Sequence, residues 1–259
     1  MTQTRRLALW NTPLLGGLLA LLLAVPAHAQ VTQDFHRTVP LTANGRVSLD
    51  NVNGNVEITG WDRNEVQIDA VKKARDQQRL DEARIEVETG SDYVKVHTQY
   101  PHDHNNNNPA SVHYTLHVPQ SARLDEISLV NGSLTVQKVM GAVDARLVNG
   151  KANISDLSGE ATISSVNGTI DANYASLNNV REIRLKSVNG SVELGLPASP
   201  NADVKASTVN GSIKSDFPLT VQGSFAGHNI SGTLGSGGTR IELSNVNGSI
   251  HIGSGRGAL

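Results

Sequence analysis

The 259-residue chain contains no cysteine, which excludes disulfide bonds, thiolate metal sites, a cysteine nucleophile and a lipid-modified cysteine. Aromatic residues make up 3% of the chain, which favours a thin core of small aliphatic side chains. The 22 lysine and arginine residues do not exceed the 24 aspartate and glutamate residues. A net charge of −2 with no basic stripe argues against nucleic acid as a partner.

No apolar run is long enough to cross a membrane, and the longest lies near the N-terminus. Arg5 and Arg6 precede an apolar run of 12 residues over 14–25, and Ala27-His28-Ala29 follows it. A spanning helix needs ~20 such residues, whereas a basic start, a short apolar run and a small-x-small site are typical of a cleaved signal peptide. We predict a signal peptide over 1–29 and no stable membrane insertion after its removal. The alternative is a retained anchor.

The tripeptide Val-Asn-Gly occurs seven times in this chain. From the second copy to the sixth, successive asparagines lie 18, 18, 22 and 21 residues apart. The last step is 37 residues, and a worn copy at Ile230-Ser231-Gly232 divides it. This regular period indicates a repeat architecture. The predicted corner residues are Asn53, Gly54, Asn131, Gly132, Asn149, Gly150, Asn167, Gly168, Asn189, Gly190, Asn210, Gly211, Asn247 and Gly248.

The residues around each corner alternate in polarity. Apolar or small residues lie two, four and six places before the asparagine and three and five places after it. Around Asn189 these are Ile183, Leu185 and Ser187, then Val192 and Leu194. Alternation at period two predicts a strand, a corner and a second strand with one buried face. Both corner residue types tolerate positive φ, and we predict positive φ at Gly190.

Two all-β architectures fit this pattern. Each Asn-Gly could be a two-residue hairpin loop, which gives an antiparallel meander or sandwich. Alternatively, each corner joins two strands of a β-solenoid coil, and equivalent residues of successive coils stack. Stacking places identical asparagines ~4.8 Å apart, where their amides form a ladder. Because a meander gains nothing from identical corners, we predict a β-solenoid with coils of 18 to 22 residues.

The N-terminal part is β-rich but less regular. Strands are predicted at 66–71, 85–88, 93–98 and 112–118, with a charged segment and a short helical turn over 72–83. The predicted organisation is a signal peptide over 1–29, a β-rich segment with the first coil over 30–122, solenoid repeats over 123–252, and a flexible tail over 253–259.

The sequence contains no pattern typical of a catalytic or metal site. Five aspartates lie near the corners, at Asp125, Asp144, Asp156, Asp171 and Asp216, but each has a different offset from its asparagine, so no acidic column forms. The loop His102-Asp103-His104 could bind a metal together with His97 or His113, although a solvated loop tip explains it better. Trp61 is interpreted as a packing cap rather than a sugar platform. We predict no catalytic, cofactor-binding or metal-binding residue.

Several segments resemble a bacterial "putative adhesin" domain family. The strongest match is the run Asn-Val-Asn-Gly-Asn-Val-Glu-Ile-Thr-Gly-Trp-Asp at 51–62, and 81–87, 112–119 and the later Val-Asn-Gly copies follow in the family's order. The resemblance implies a secreted or periplasmic, right-handed β-helix-like domain without assigned catalytic residues. After six of the seven corner glycines this chain has Ser, Thr or Lys where the family commonly has Asp, which argues against an acidic metal-binding edge.

Together these observations predict an exported, non-enzymatic protein of the cell envelope with an adhesin-like or scaffold role. Its location is periplasmic or extracellular, it needs no cofactor, and its partner is an unidentified envelope protein or a glycan. The alternative is a β-helix protein that binds or cleaves polysaccharide.

Overall fold

The structure is a computed structural model that describes residues 30–101, 110–221 and 229–255. Within these ranges the chain is all-β, as predicted, with two long sheets and one short helix. No helix in these ranges is long and apolar enough to cross a membrane. The predicted signal peptide, the loop His102-Asp103-His104 and most of the predicted tail lie outside the described residues.

The N-terminal part contains the elements predicted for it. They are β1 (Val31–Pro40), β2 (Arg46–Asn53), β3 (Val56–Trp61), β4 (Glu65–Ala74), α1 (Gln77–Glu82), β5 (Arg84–Thr89), β6 (Tyr93–Gln99) and β7 (Ser111–Pro119). The charged segment forms α1 because the carboxylate of Asp76 accepts the backbone N–H of Arg79 at 3.0 Å. Leu80 on this helix is buried.

The repeat part consists of strand pairs joined by the Val-Asn-Gly corners. Its strands are β8 (Arg123–Asn131), β9 (Leu134–Gln137), β10 (Val143–Asn149), β11 (Ala152–Leu157), β12 (Ala161–Asn167), β13 (Ile170–Tyr174), β14 (Glu182–Asn189), β15 (Val192–Leu196), β16 (Ala202–Asn210), β17 (Ile213–Ser215), β18 (Thr220–Val221), β19 (Asn229–Leu234), β20 (Thr239–Asn247) and β21 (Ile250–Ser254). In all seven copies, one strand ends at the asparagine and the next begins three residues later.

The two strands of each copy belong to different sheets. The first sheet has the order β1-β4-β7-β3-β9-β11-β13-β15-β21-β17, and the second has the order β18-β19-β16-β20-β14-β12-β10-β8-β2-β6-β5. Pairing between corner strands is parallel, and the corner asparagines face one another in register. An antiparallel meander is therefore wrong for these repeats. Antiparallel pairs occur in the N-terminal part and around β19.

The order of the strands in space differs from their order along the chain at the C-terminal end. Strand β20 lies between β14 and β16, so Asn247 is an interior member of the stack and Asn210 is the outermost. The last corner along the chain, Asn247, would be expected to close the stack, and that expectation is wrong. The worn copy at 230–232 is also wrong as a corner, because these residues lie within β19 and pair antiparallel with β16.

The predicted inward residues fill the space between the two sheets. Ile183, Leu185 and Ser187 before Asn189 are at most 3% exposed, and Val192 and Leu194 after it are at most 1% exposed. The buried aliphatic residues of both sheets form one continuous hydrophobic cluster. The sheets therefore hold the corners in a fixed register along one side of the molecule.

Candidate functional site

The seven corner asparagines form a continuous hydrogen-bonded column, which we call the asparagine ladder. In spatial order it comprises Asn210, Asn247, Asn189, Asn167, Asn149, Asn131 and Asn53. Each side-chain Nδ2 donates to the Oδ1 of the next member, at 2.8 to 3.0 Å. All six bonds run in the same direction. Each interior amide retains one N–H and one acceptor lone pair for solvent or a ligand.

The corner glycines are required by close packing between coils. A Cβ on Gly132, Gly150, Gly168, Gly190, Gly211 or Gly248 would lie 1.8 to 2.1 Å from the carbonyl oxygen of a neighbouring corner glycine. Gly190 has φ of +149°, as predicted. Positive φ does not explain why glycine is needed at every corner, however, because four of the seven corner glycines do not have φ between +20° and +160°.

A second, buried column lies two residues before the ladder. Five of its seven members are polar, and four of these bond to backbone carbonyls at the corners. Ser187 Oγ donates to Gly168 O at 3.1 Å, Thr208 Oγ1 to Gly248 O at 3.1 Å, and Asn245 Nδ2 to Gly190 O at 2.6 Å. Asn51 Nδ2 donates to Gly54 O at 3.3 Å and also to Val112 O of β7 at 2.9 Å. The sequence interpretation treated this position as small or apolar. A polar residue recurring at a position that the alternation predicts to be buried was the pattern that could have revealed these bonds to the corner backbone.

The valines of the corners form an exposed apolar column, which we call the valine strip. Its members are 36 to 60% exposed and occupy seven consecutive positions along the second sheet: Val209, Val246, Val188, Val166, Val148, Val130 and Val52. At one strand spacing per step, the strip is ~29 Å long. Sequence reasoning did not assign these valines to a face. Each valine lies one residue after a buried position, so the alternation along the strand would have placed its side chain on the solvent-exposed face.

Charged side chains next to the strip neutralise one another. Arg184 contacts Glu242 at 3.1 Å and Glu182 at 2.9 Å, and Lys186 lies 3.9 Å from Glu242. The hydrogen bond from Arg184 lowers the pKa of Glu242. These charges on β14 and β20 are therefore paired, whereas the valine side chains beside them are exposed.

Four of the five candidate aspartates lie close to a polar or charged side chain. Asp144 lies 3.6 Å from Arg146, Asp125 lies 3.8 Å from Arg123, and Asp171 accepts from Asn173 at 2.8 Å. Asp216 contacts His251 at 3.1 Å beside a depression of about 110 Å³. Within the described ranges, no group of three His, Asp or Glu residues is arranged to hold a metal ion.

The candidate histidines are separated by the fold. His97 on β6 lies 3.2 Å from Asp50, whereas His113 on β7 accepts the backbone N–H of Asn55 at 3.3 Å. These two strands belong to different sheets. Trp61 donates its indole N–H to Glu65 O at 2.9 Å and packs against the ring of His117. The indole is thereby integrated into the sheet, in line with a packing role.

Shifted pKa values have structural causes in this protein. Burial lowers the pKa of Lys72 and of His113. Burial raises the pKa of Tyr114 to about 12, even though Thr98 bonds its hydroxyl at 2.6 Å. Burial would also raise the pKa of Asp69, but hydrogen bonds with His36 and Gln67 outweigh it and the pKa is lowered. Burial also raises the pKa of Tyr100, whose hydroxyl donates to Asn53 O at the first corner at 3.4 Å.

The fold and the corners define an all-β protein of stacked strand–corner–strand repeats. The chain belongs to the Toastrack DUF4097 family, whose model matches residues 48–253. This confirms the family resemblance seen in the sequence. No relative is found among curated proteins.

Three solved structures are similar to this chain at low identity. A "putative cell adhesion protein" from Clostridium sporogenes is 14% identical with a TM-score of 0.49, and the match covers 86% of this chain and 100% of that one. A "putative adhesin" from Bacteroides fragilis is 12% identical with a TM-score of 0.38, covering 88% and 98%. A "putative lipid binding protein" from Parabacteroides distasonis is 14% identical with a TM-score of 0.32, covering 85% and 96%.

Proposed function

We propose that this protein is an exported, non-enzymatic component of the cell envelope that acts through surface contact. In this proposal the stacked repeats form a right-handed β-solenoid, and the valine strip is the contact surface. The role is adhesin-like or that of a scaffold, and the partner is an envelope protein or a glycan.

The valine strip is the observation that carries this proposal. Seven valines, 36 to 60% exposed, occupy the same position on seven consecutive strands of the second sheet and form an apolar column. Isolated exposed apolar residues need no explanation, whereas a contiguous patch is typical of an interaction surface. The parallel sheets beneath it fix the spacing of the valines, so a partner binds to a preorganised surface.

The pattern of sheet connections supports the solenoid. The chain runs from β8 in one sheet through β9 in the other to β10, which is parallel to β8 and adjacent to it. The next two coils repeat this path, through β12 to β14. Crossover connections between parallel strands of one sheet are right-handed in the great majority of proteins, which supports the proposed handedness.

The ion pairing of the acidic residues supports a non-enzymatic role. An acid–base pair that cleaves polysaccharide needs carboxylates free to exchange protons with substrate. Asp144, Asp125 and Glu242 instead have cationic neighbours. Export is supported by the N-terminal pattern, and cleavage after Ala29 would leave every described strand intact, because β1 begins at Val31.

Cell fractionation with external protease tests location and role together. An adhesin-like protein on the surface should be removed by protease from intact cells, whereas a periplasmic scaffold should survive until the outer envelope is opened. Recovery of the protein in the cytoplasm, with residues 1–29 still attached, would contradict the proposal. Release of reducing ends from purified polysaccharides would favour the enzymatic alternative.

The contact surface is tested by substitutions on the strip. Val148→Thr with Val166→Thr keeps the β-branched shape and removes two exposed methyl groups from the apolar column. The matched control is Thr135→Ser with Asn153→Ser, which lies on the outer face of the first sheet. We expect the valine variant to lose association with isolated envelopes while the control retains it. Equal association of both variants would refute the valine strip as the contact surface.

A further inference from the structure

The chain contains eight Asn-Gly pairs, seven in the asparagine ladder and one at Asn44-Gly45. Asn-Gly is the dipeptide most prone to spontaneous deamidation because glycine leaves its backbone nitrogen sterically accessible. That nitrogen loses its proton to solvent base and attacks Cγ of the asparagine. The bond from Cγ to Nδ2 breaks, Nδ2 takes up a proton and leaves as ammonia, and a cyclic succinimide forms. Water then opens the ring to aspartate or isoaspartate, with no change of oxidation state.

At the corners, backbone bonds restrain the glycine nitrogen and the ladder restrains the asparagine side chain. At six of the seven corners the glycine N–H donates to a carbonyl of the neighbouring coil at 2.9 to 3.1 Å, so its proton is engaged. Each interior asparagine is also held on both sides, as in Asn149, which donates to Asn131 and accepts from Asn167 at 2.9 Å. Attack requires the side chain to rotate its Cγ toward the glycine nitrogen, and this rotation breaks both side-chain bonds.

The eighth pair lacks the side-chain restraint. Asn44 is exposed in the turn between β1 and β2, and among the described residues its side chain has no hydrogen-bond partner. Gly45 donates its N–H to Thr42 O at 2.9 Å, so the backbone bond is present here as well. The two environments therefore differ mainly in the asparagine side chain and in the cost of local opening, which is lowest in exposed turns.

We propose that Asn44 is the deamidation site of the folded protein and that the ladder protects its seven Asn-Gly pairs. This role goes beyond surface contact, because it keeps a chemically labile repeat intact in a protein exposed to solvent. It also preserves the column itself. An aspartate within the ladder would place an acceptor oxygen opposite another acceptor and would break one hydrogen bond.

The test is peptide mapping by mass spectrometry during incubation of the purified protein in mildly alkaline buffer. Each side-chain hydrogen bond disfavours by roughly fivefold the local opening that frees the asparagine side chain. Because an interior ladder asparagine makes two such bonds, it should deamidate at least about tenfold more slowly than Asn44. The unfolded chain in denaturant is the reference, where all eight pairs should react at similar rates. Conversion of an interior ladder asparagine in the folded protein at less than tenfold below the rate of Asn44 would overturn the proposal.

A variant separates the ladder bonds from general rigidity of the sheet. Asn131→Ala removes the acceptor of Asn149 and should accelerate deamidation at Asn149, while Asn189, which keeps both partners, stays slow. Ser128→Ala on the same strand is the control, since Ser128 takes no part in the ladder. An unchanged rate at Asn149 in Asn131→Ala would refute protection by the ladder, whatever the behaviour of Asn44.

Discussion

Removing one asparagine from the ladder should cost stability according to its position in the stack. Asn167 donates to Asn149 and accepts from Asn189, each at 2.9 Å, so Asn167→Ala removes two hydrogen bonds. Asn210 is the outermost member and donates to Asn247 at 3.0 Å, so Asn210→Ala removes one ladder bond. The comparison follows the order in space, in which Asn247 is interior although it is the last copy along the chain.

The magnitude follows from the exposure of the ladder. A protein hydrogen bond contributes a net 0.5 to 1.5 kcal/mol, and water can replace the lost partner at this surface, so we take about 0.5 to 1 kcal/mol per bond. Asn167→Ala should lower the free energy of unfolding by about 1 to 2 kcal/mol, and Asn210→Ala by about half as much. Alanine brings no backbone strain, because the non-glycine residues with positive φ in the described ranges are Glu126, Lys138, Asp156 and Asn179.

Equilibrium unfolding in urea measures these differences, and thermal unfolding should show a shift of roughly 2 to 4 °C per kcal/mol for a chain of this size. A double-mutant cycle sharpens the assay. Asn149→Ala and Asn167→Ala share one bond, so their combined cost should fall about 0.5 to 1 kcal/mol short of the sum. Asn53→Ala and Asn210→Ala lie at opposite ends and should be additive. Equal costs for Asn167→Ala and Asn210→Ala, with no coupling between 149 and 167, would refute the ladder as a source of stability.

Three further predictions concern the corners, the N-terminus and an ion pair. Gly168→Ala should destabilise by more than about 2 kcal/mol, since its Cβ would lie 1.8 Å from a carbonyl oxygen, whereas Gly255→Ala, with a nearest contact of 3.3 Å, should change the melting temperature little. Intact-mass measurement of the envelope fraction should give a chain that begins at Gln30, and a mass that includes 1–29 would contradict signal cleavage. Asp69→Asn should destabilise the protein at neutral pH. The pKa of Asp69 is lowered in the folded state, so its ionised carboxylate stabilises the fold at pH values above the usual pKa of 3.8. This difference should disappear as the pH falls through the lowered pKa, and a difference that persists in strong acid would show that the ion pair with His36 is not its cause.

The local structure of the repeats was predictable because it depends on a period of two. Ile183 and Leu185 before the corner, and Val192 and Leu194 after it, are buried as the alternation required. Parallel stacking was predicted by a different signal, the return of the same asparagine at every corner, since an antiparallel meander gives identical asparagines no contact. These inferences depend only on the alternation of neighbouring residues and on the recurrence of one corner tripeptide, and both features can be read directly from the sequence.

The order of the last coils was not predictable from the same pattern. Strand β20 could pair with the outer edge of β16 or insert between β16 and β14, depending on which strand edge is free. The alternation of buried and exposed residues is alike on all three strands and does not decide between these arrangements. The antiparallel strand β19 occupies the outer edge of β16, and β20 therefore lies between β16 and β14. Competition between strands for one edge is a property of the folded sheet, not of any local segment.

The valine strip is best explained by comparing its position with the buried column one residue earlier. The buried column contains Asn51, Leu129, Leu147, Ser165, Ser187, Thr208 and Asn245, so packing accepts three polar residue types and one apolar type there. The exposed position is valine in all seven copies. Strand propensity does not require this, because threonine is equally β-branched and would expose less apolar surface. Uniform valine outside, with varied residues inside, is the reverse of what core packing alone produces, and the proposed contact surface is a hypothesis that accounts for it.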